Sequence, residues 1–407
     1  MCPQPDTGHE ATRQVEVADI FRTHGAASQQ RQRLSGGQRR VMRDLIACRT
    51  AALGGQLAQC DHCGAQVSRY HSCQNRHCPT CQPLATVRWV EARLRDLRPL
   101  PYFPCVFTLP PTLPPLAHGN PRVLYGLLFQ TASATLPTLG RDPKWLGGAL
   151  GITMVLHTWS QALEYHRHVH CGVPGGALAP EGDHWIPTKR RDFLFPVQAL
   201  ARVLRGKYLT ALPNAYAQDR LQFAGATAPL GHAQTFQRVL APLWQPPWVV
   251  YAKPPFASAQ HVLSSLGRYT HRVALSKDRR VAMRDGQVVF RGRARRHSNR
   301  PRVITLSAEE CIRRFLLHVL PAGFLRSRHY GVVGSRCRTS KLTACRRLLA
   351  PPAPPVGPRA SAATVMRRLT GIDIACCPQG HQGRLVVRAA QPPCRLPGLV
   401  SERAHPP

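Results

Sequence analysis

GALGITMVLHTW (148–159) and HRHVHCGVPGG (166–176) are the two stretches on which the fold turns. Both are rich in β-branched and apolar residues, and only Ser160–Tyr165 separates them, which predicts an antiparallel pair of strands. Side chains alternate between the faces of a strand, so His168 and His170 project to one side, joined by His166 if the strand begins that early. Two imidazoles one strand step apart can share a divalent metal ion. His157, on the preceding strand, falls roughly opposite 168–170 and is the best third ligand, with Gln161 and Glu164 as fallbacks. A register change of one residue would turn it to the wrong face. The His-x-His-x-Asp-His pattern of zinc hydrolases is broken here, because Cys171 and Gly172 follow His170.

Working outward, residues 1–50 read as helical, with Ile20, Phe21, Val41, Leu45 and Ile46 as apolar anchors. A second helix runs from about Ala85 to Leu97. PYFPCVFTLPP (101–111) and PPWVVYAKPPF (246–256) each hold a short strand, and 121–139 and 195–212 read as helices. Residues 257–275 read as helix, with Val262, Leu266, Tyr269 and Val273 at helical spacing. Residues 280–290 carry a hairpin signature, because Asp285–Gly286 suits a type I′ turn. Another helix covers 308–320, and a Pro-rich linker near 350–362 leads into a tail of low expected order.

The fold class expected is α+β: an N-terminal zinc ribbon plus a central antiparallel sheet flanked by helices. The expected division is 1–100 for a helical and zinc-ribbon DNA-binding region (ribbon 60–81), and 101–275 for the sheet domain with the tyrosine-bearing helix. A basic DNA-binding region at 276–350 and the linker and tail at 351–407 follow.

The ribbon rests on cysteine spacing. Cys60-x2-Cys63 and Cys78-x2-Cys81, fourteen residues apart, can place four thiolates around one structural Zn²⁺. Cys73 and His77 are alternates in the same loop. Cys376, Cys377 and His381 look like a degraded second knuckle and are not assigned a metal.

Charge narrows the function. The 407 residues carry 55 Lys and Arg against 20 Asp and Glu, a formal charge of +35. Only six of those cations are Lys, so 55 − 6 = 49 are Arg. Such a chain is not a typical soluble metabolic enzyme and binds polyanions. No stretch approaches the roughly 18 apolar residues of a membrane span, and the start lacks the pattern of a signal peptide, so a cytoplasmic location is expected. Residues 277–302 hold ten cations against Asp278 and Asp285. Placed directly after Tyr269, this run reads as a surface that tracks a nucleic-acid backbone, drawing on Arg268, Arg272, Arg279, Arg280, Arg291, Arg293, Arg295 and Arg296. Bases could stack on Trp244, Trp248 or Tyr251, although a core role is at least as good a reading of those rings. LSGGQ (34–38) imitates an ATPase signature loop, but no phosphate-cradling GxxxxGK[ST] accompanies it, so it reads as a helix start.

Collinear motifs carry a resemblance. CRTAALGG (48–55), NRHCPTCQ (75–82), HTW (157–159), HRHVHCGVPGG, WVVYAKPPF (248–256), GRYTHRVA (267–274), RRFLLHVLPAGF (313–324) and RHYG (328–331) together resemble the rolling-circle insertion-sequence transposases of the IS common-region kind, within the HUH single-strand endonucleases. The resemblance implies an HUH-type sheet domain in which Mg²⁺ or Mn²⁺ sits on His168 and His170. It also implies that Tyr269 attacks single-stranded DNA at the element's ends, leaving a 5′-phosphotyrosine and a free 3′-OH. The partners implied are element termini and target DNA, without a membrane, in the nucleoid of a bacterium. Relatives with two tyrosines carry the first where this chain has Ser265, so a full cycle needs a homodimer or sequential use of Tyr269. Arg167 stands where relatives often have Pro, on the opposite strand face from the histidines, so little effect on the metal site is expected. The competing reading is a non-catalytic zinc-ribbon nucleic-acid binder, a decayed transposase; a zinc hydrolase ranks third.

Overall fold

A computed structural model of the protein describes residues 15–94, 100–245, 247–256, 261, 267, 275, 279, 281–293, 300–336, 338–349, 361–379 and 382–394. In chain order, α1 (Val17–Arg31) and α2 (Gly36–Ala47) precede the hairpin of β1 (Gly55–Cys60) and β2 (Gln66–Tyr70), then α3 (Gln82–Leu94). β3 (Tyr102–Thr108), α4 (Pro114–Gly119), α5 (Pro121–Gly140), β4 (Gly151–Trp159) and β5 (Tyr165–Pro174) follow. Next come β6 (Gly176–Leu178), β7 (Trp185–Pro187), α6 (Val197–Ala217), α7 (Ala233–Leu240) and β8 (Val250–Ala252). After them lie β9 (Ala282–Arg284), β10 (Gln287–Arg293), β11 (Pro301–Ser307), α8 (Ala308–Leu316) and β12 (Ser327–Gly331). The last elements are α9 (Arg338–Leu348), α10 (Ala362–Thr370) and β13 (Leu385–Gln391).

The α+β expectation holds, and the predicted strand pair is its centre. β4 and β5 are antiparallel and lie inside a five-stranded sheet of order β12-β4-β5-β3-β8. Strand alternation sorts the side chains. Phe103, Cys105 and Phe107 of β3, Ile152, Met154 and Leu156 of β4, and Val169, Cys171 and Val173 of β5 all enter one core with Leu124 and Leu128 of α5 and Leu204 and Tyr208 of α6. Burying that apolar face drives the layer to form and fixes the register, because a one-residue slip would expose it.

A second core ties the two ends of the chain together. Ile20, Phe21 and Leu45 of the first helices pack with Val288 and Phe290 of β10, and with Ile312 and Phe315 of α8. The Phe21 and Phe315 rings meet edge-on at 5.3 Å. Trp159 and Leu163, from the β4–β5 connection, enter the same core. The first hundred residues and the basic region therefore share one interior, and β12 joins the central sheet beside β4. Hydrophobic burial here pairs segments far apart in the chain.

Two local expectations hold at the level of single hydrogen bonds and dihedrals. Ser35 caps α2: its Oγ accepts from the Gln38 amide (3.3 Å) while the Gln38 side chain accepts from the Ser35 amide (2.9 Å). LSGGQ is thus a helix start. Asp285 and Gly286 have φ of 47° and 70°, the two left-handed residues of a type I′ turn. The tail departs from expectation. α10 follows the linker, and β13 pairs antiparallel with β1, making a three-stranded sheet of order β13-β1-β2. Residues 362–394 read as poorly ordered in sequence because their strand is short, and its partner lies more than 300 positions away, Cys60 opposite Leu385.

Candidate functional site

The histidine centre is built by register. His157 of β4 lies directly opposite His168 of β5, and His170 lies opposite Val155. Paired residues share a face, so all three imidazoles point away from the α5–α6 core. His157 Nδ1 is 3.2 Å from His168 Nε2, and His168 Nε2 is 3.0 Å from His170 Nε2. One ring nitrogen from each lies within 4.8 Å of the others. Two ligands at right angles, each about 2.1 Å from an ion, stand about 3.0 Å apart. These two separations fit neighbouring imidazole ligands of one divalent ion. His168 Nδ1 is 3.2 Å from the His166 carbonyl. A carbonyl only accepts, so that nitrogen carries the proton and Nε2 keeps its lone pair for a metal.

The floor of the site is packed. His157 packs edge-on against Trp159, ring centroids 4.0 Å apart, and Arg326 lies 4.8 Å over Trp159. Arg326 Nε donates to the Leu156 carbonyl at 3.2 Å, and burial draws its guanidinium down to about 9. The sequence reading missed this arginine, and nothing local signals it. Its proximity comes from the β12–β4 pairing. Behind Trp159, His318 is buried, bonded to the Leu163 carbonyl (3.1 Å) and Thr158 Oγ1 (3.4 Å), and burial pulls its pKa down to about 3.

Arg167 lies on the core face as expected. It is buried over the Tyr165 ring at 4.1 Å, and burial lowers its pKa.

The cysteines regroup. Cys78 and Cys81 do not share an ion with Cys60 and Cys63; they sit with Cys48 and Cys73. The sulfurs of Cys48 and Cys81 are 3.7 Å apart, those of Cys73 and Cys81 3.7 Å, and those of Cys48 and Cys78 3.6 Å. A tetrahedron of Zn–S bonds of about 2.3 Å has edges of about 3.8 Å, so this group fits Zn²⁺. Hydrogen bonds from Cys73 and Cys78 draw the Cys48 thiol down to about 7, and those from Cys48, Cys73 and Cys78 hold the Cys81 thiol well below the usual range. Cys60 and Cys63 sit instead with Cys377.

The physical reason is the hairpin. Cys48 precedes β1 and Cys73 follows β2, whereas Cys60 and Cys63 lie at the tip. A strand of six residues separates the two ends by roughly 17 Å, too far for one ion. His77, an alternate ligand by spacing, is turned elsewhere. Burial and the charges of Arg326 and Arg76 depress it to about 3.

The basic surface is only partly where the sequence put it. Arg291 is exposed, as are Arg300 and Arg302. Arg279 is not: it is buried, lies 5.4 Å over the Phe290 ring and donates to the Gln161 carbonyl at 2.6 Å. It fastens the β9–β11 hairpin to the β4–β5 turn, which corrects its assignment to a DNA surface. Tyr269, Arg268, Arg272, Arg280, Arg295 and Arg296 lie outside the described residues, and the side chain of Arg293 in β10 does too. Gly267, two residues before Tyr269, is helical and lies against Val90 of α3 so closely that a Cβ would collide. Of the aromatics, Trp248 is core, its Nε1 donating to the Leu243 carbonyl (3.1 Å), while Trp244 and Tyr251 are exposed. Tyr251 pairs with Val106, which pairs with His170, so it lies on the histidine face of the sheet. Among the described residues, no helix is long and apolar enough to cross a membrane.

A five-stranded antiparallel sheet thus carries a histidine cluster, with cysteine groups elsewhere on a strongly basic chain. Comparison supplies the family. Residues 20–109 match the family model described as "Transposase zinc-binding domain", and residues 151–341 match the one described as "Putative transposase". The chain is 46% identical over 375 residues to "Putative transposase y4qJ" of Sinorhizobium fredii (strain NBRC 101917 / NGR234), covering 91% of this chain and 94% of that one. It is 26% identical over 297 residues to "Transposase for insertion sequence element IS801" of Pseudomonas savastanoi pv. phaseolicola, covering 72% and 69%. No solved structure is significantly similar to it. The chain belongs to the rolling-circle insertion-sequence transposases that carry an N-terminal zinc-binding domain.

Proposed function

We propose that the protein nicks and rejoins single-stranded DNA at the ends of its element through a 5′-phosphotyrosine on Tyr269. The observation that carries this reading is the cluster of His157, His168 and His170 on one face of the central sheet in a chain of this family. A divalent ion held by these imidazoles would supply Lewis-acid polarisation of the scissile phosphodiester. The Tyr269 phenol then bonds to phosphorus as the P–O3′ bond breaks, and its proton passes to the departing 3′-oxygen. The phosphotyrosine keeps the bond energy, so rejoining to another 3′-OH needs no nucleotide cofactor. Arg291, Arg300 and Arg302 would track the strand, and the exposed ring of Tyr251 would take a base. The substrates are element termini and target DNA in the bacterial nucleoid, with a second protomer or reuse of Tyr269 completing the cycle.

The test is covalent capture. A labelled single-stranded oligonucleotide carrying the element's end is incubated with the protein and Mn²⁺, then denatured and resolved. A protein–DNA adduct is expected, lost in Tyr269→Phe with binding retained, and lost in His168→Ala/His170→Ala. An adduct that survives Tyr269→Phe removes the nucleophile from the proposal. No adduct with any divalent ion on cognate ends favours the non-catalytic binder.

A further inference from the structure

We propose that the chain holds a second zinc ion, bound by Cys60, Cys63 and Cys377, which fastens residues 362–394 onto the N-terminal zinc unit. The matched zinc-binding family region ends at residue 109, so one of these ligands lies far outside it.

Three sulfurs converge here, within 4.8 Å of one another, with Cys63 and Cys377 3.6 Å apart across 314 positions of sequence. That separation is again close to the edge of a zinc–thiolate tetrahedron. Cys60 and Cys377 are buried and Cys63 is at the rim.

Backbone hydrogen bonds gather around the sulfurs from both segments. On one side, the amides of His62 and Cys63 approach Cys60 Sγ at 3.4 and 3.5 Å. On the other, the Cys377 amide donates to the Gly383 carbonyl at 2.9 Å. Asp61 sews the two segments together: its amide donates to the Arg384 carbonyl (3.0 Å) and its Oδ1 accepts from the Arg384 amide (2.7 Å). Gly383 sits against Cys60 Sγ so tightly that a Cβ would collide with it. The β1–β13 ladder, which ends at Cys60 opposite Leu385, delivers the second segment to the first.

The tail buries little apolar surface, since most of β13 is exposed. A ligand that binds only the folded arrangement would supply what packing does not. His381, four positions after Cys377, is a zinc-ligand type at zinc-knuckle spacing. It lies outside the described residues, and the proposal rests on the three cysteines.

The test is zinc stoichiometry of the full chain, purified under reducing conditions and measured by elemental mass spectrometry against protein concentration. The wild type is expected to carry two zinc ions per chain. Cys377→Ser and Cys63→Ser are each expected to carry one, retained at Cys48, Cys73, Cys78 and Cys81, and that retained ion also reports that the variant is folded. Cys377→His, which restores a ligand, is expected to regain the second. A wild-type ratio of one, an unchanged ratio in Cys377→Ser, or failure of Cys377→His to regain what Cys377→Ser loses overturns the proposal. None of these readouts depends on DNA cleavage.

Discussion

Acid should destabilise this protein through His318, and the size of the effect follows from its surroundings. The ring is 2% exposed, and burial pulls its pKa down to about 3. In the unfolded chain it returns to about 6.5. The folded pKa is the lower one, so between about 6.5 and 3 the unfolded state binds the extra proton. Stability is therefore fully present above pH 6.5 and is lost as pH falls through that window. At pH 5 the linkage amounts to about 2 kcal/mol relative to neutrality. Because His318 supports Thr158 and the Leu163 carbonyl, it also supports the turn that positions Trp159 and His157. The assay is urea unfolding followed by tryptophan fluorescence at pH 7 and pH 5, with zinc in both buffers. Comparison with His318→Gln, which retains a donor but cannot titrate, separates this histidine from the zinc thiolates, which are common to both chains. The wild type should lose about 2 kcal/mol more than His318→Gln between the two pH values. Equal losses would refute the reasoning, because they would mean His318 titrates alike in both states.

Three further outcomes are expected. Phe107→Ala empties a fully buried site between the central sheet and its helices, and should cost about 3–5 kcal/mol in the same urea assay. Gly286→Ala places a side chain at φ 70°, where nothing crowds it, so only the left-handed backbone is penalised, by about 1 kcal/mol of thermal stability with metal content unchanged. Binding of a non-specific single strand should weaken steeply with salt. If about six phosphates are neutralised, log affinity falls with log salt at a slope near −4, and a slope near zero would remove the Arg-rich surface as the binding face.

How far the sequence carried depended on distance along the chain. Alternation over β4 and β5 was legible because period-2 burial is local, and alternation alone is enough to put His168 and His170 on one face. Naming His157 required the short connector, which limits the register to a few choices; only the buried apolar face of β4 selects the one that sets it opposite His168. Arg279 looked like part of a basic run, and composition could not say that its guanidinium folds under the hairpin onto Phe290.

The cysteines mark the boundary most clearly. By itself, the sequence determined that cysteines at zinc-ligand spacing were present, that the chain is strongly basic, and that its collinear motifs belong to the rolling-circle transposases. Those are properties of composition and of spacing within a few residues. Which sulfurs meet was decided only in three dimensions. A hairpin about one strand long moves Cys60 and Cys63 away from Cys78 and Cys81, and the β1–β13 ladder brings Cys377 to them from the far end of the chain. Adjacency in sequence fixes a turn, but strand pairing carries no local mark of its partner, so only the burial and hydrogen bonding of the whole chain could choose it.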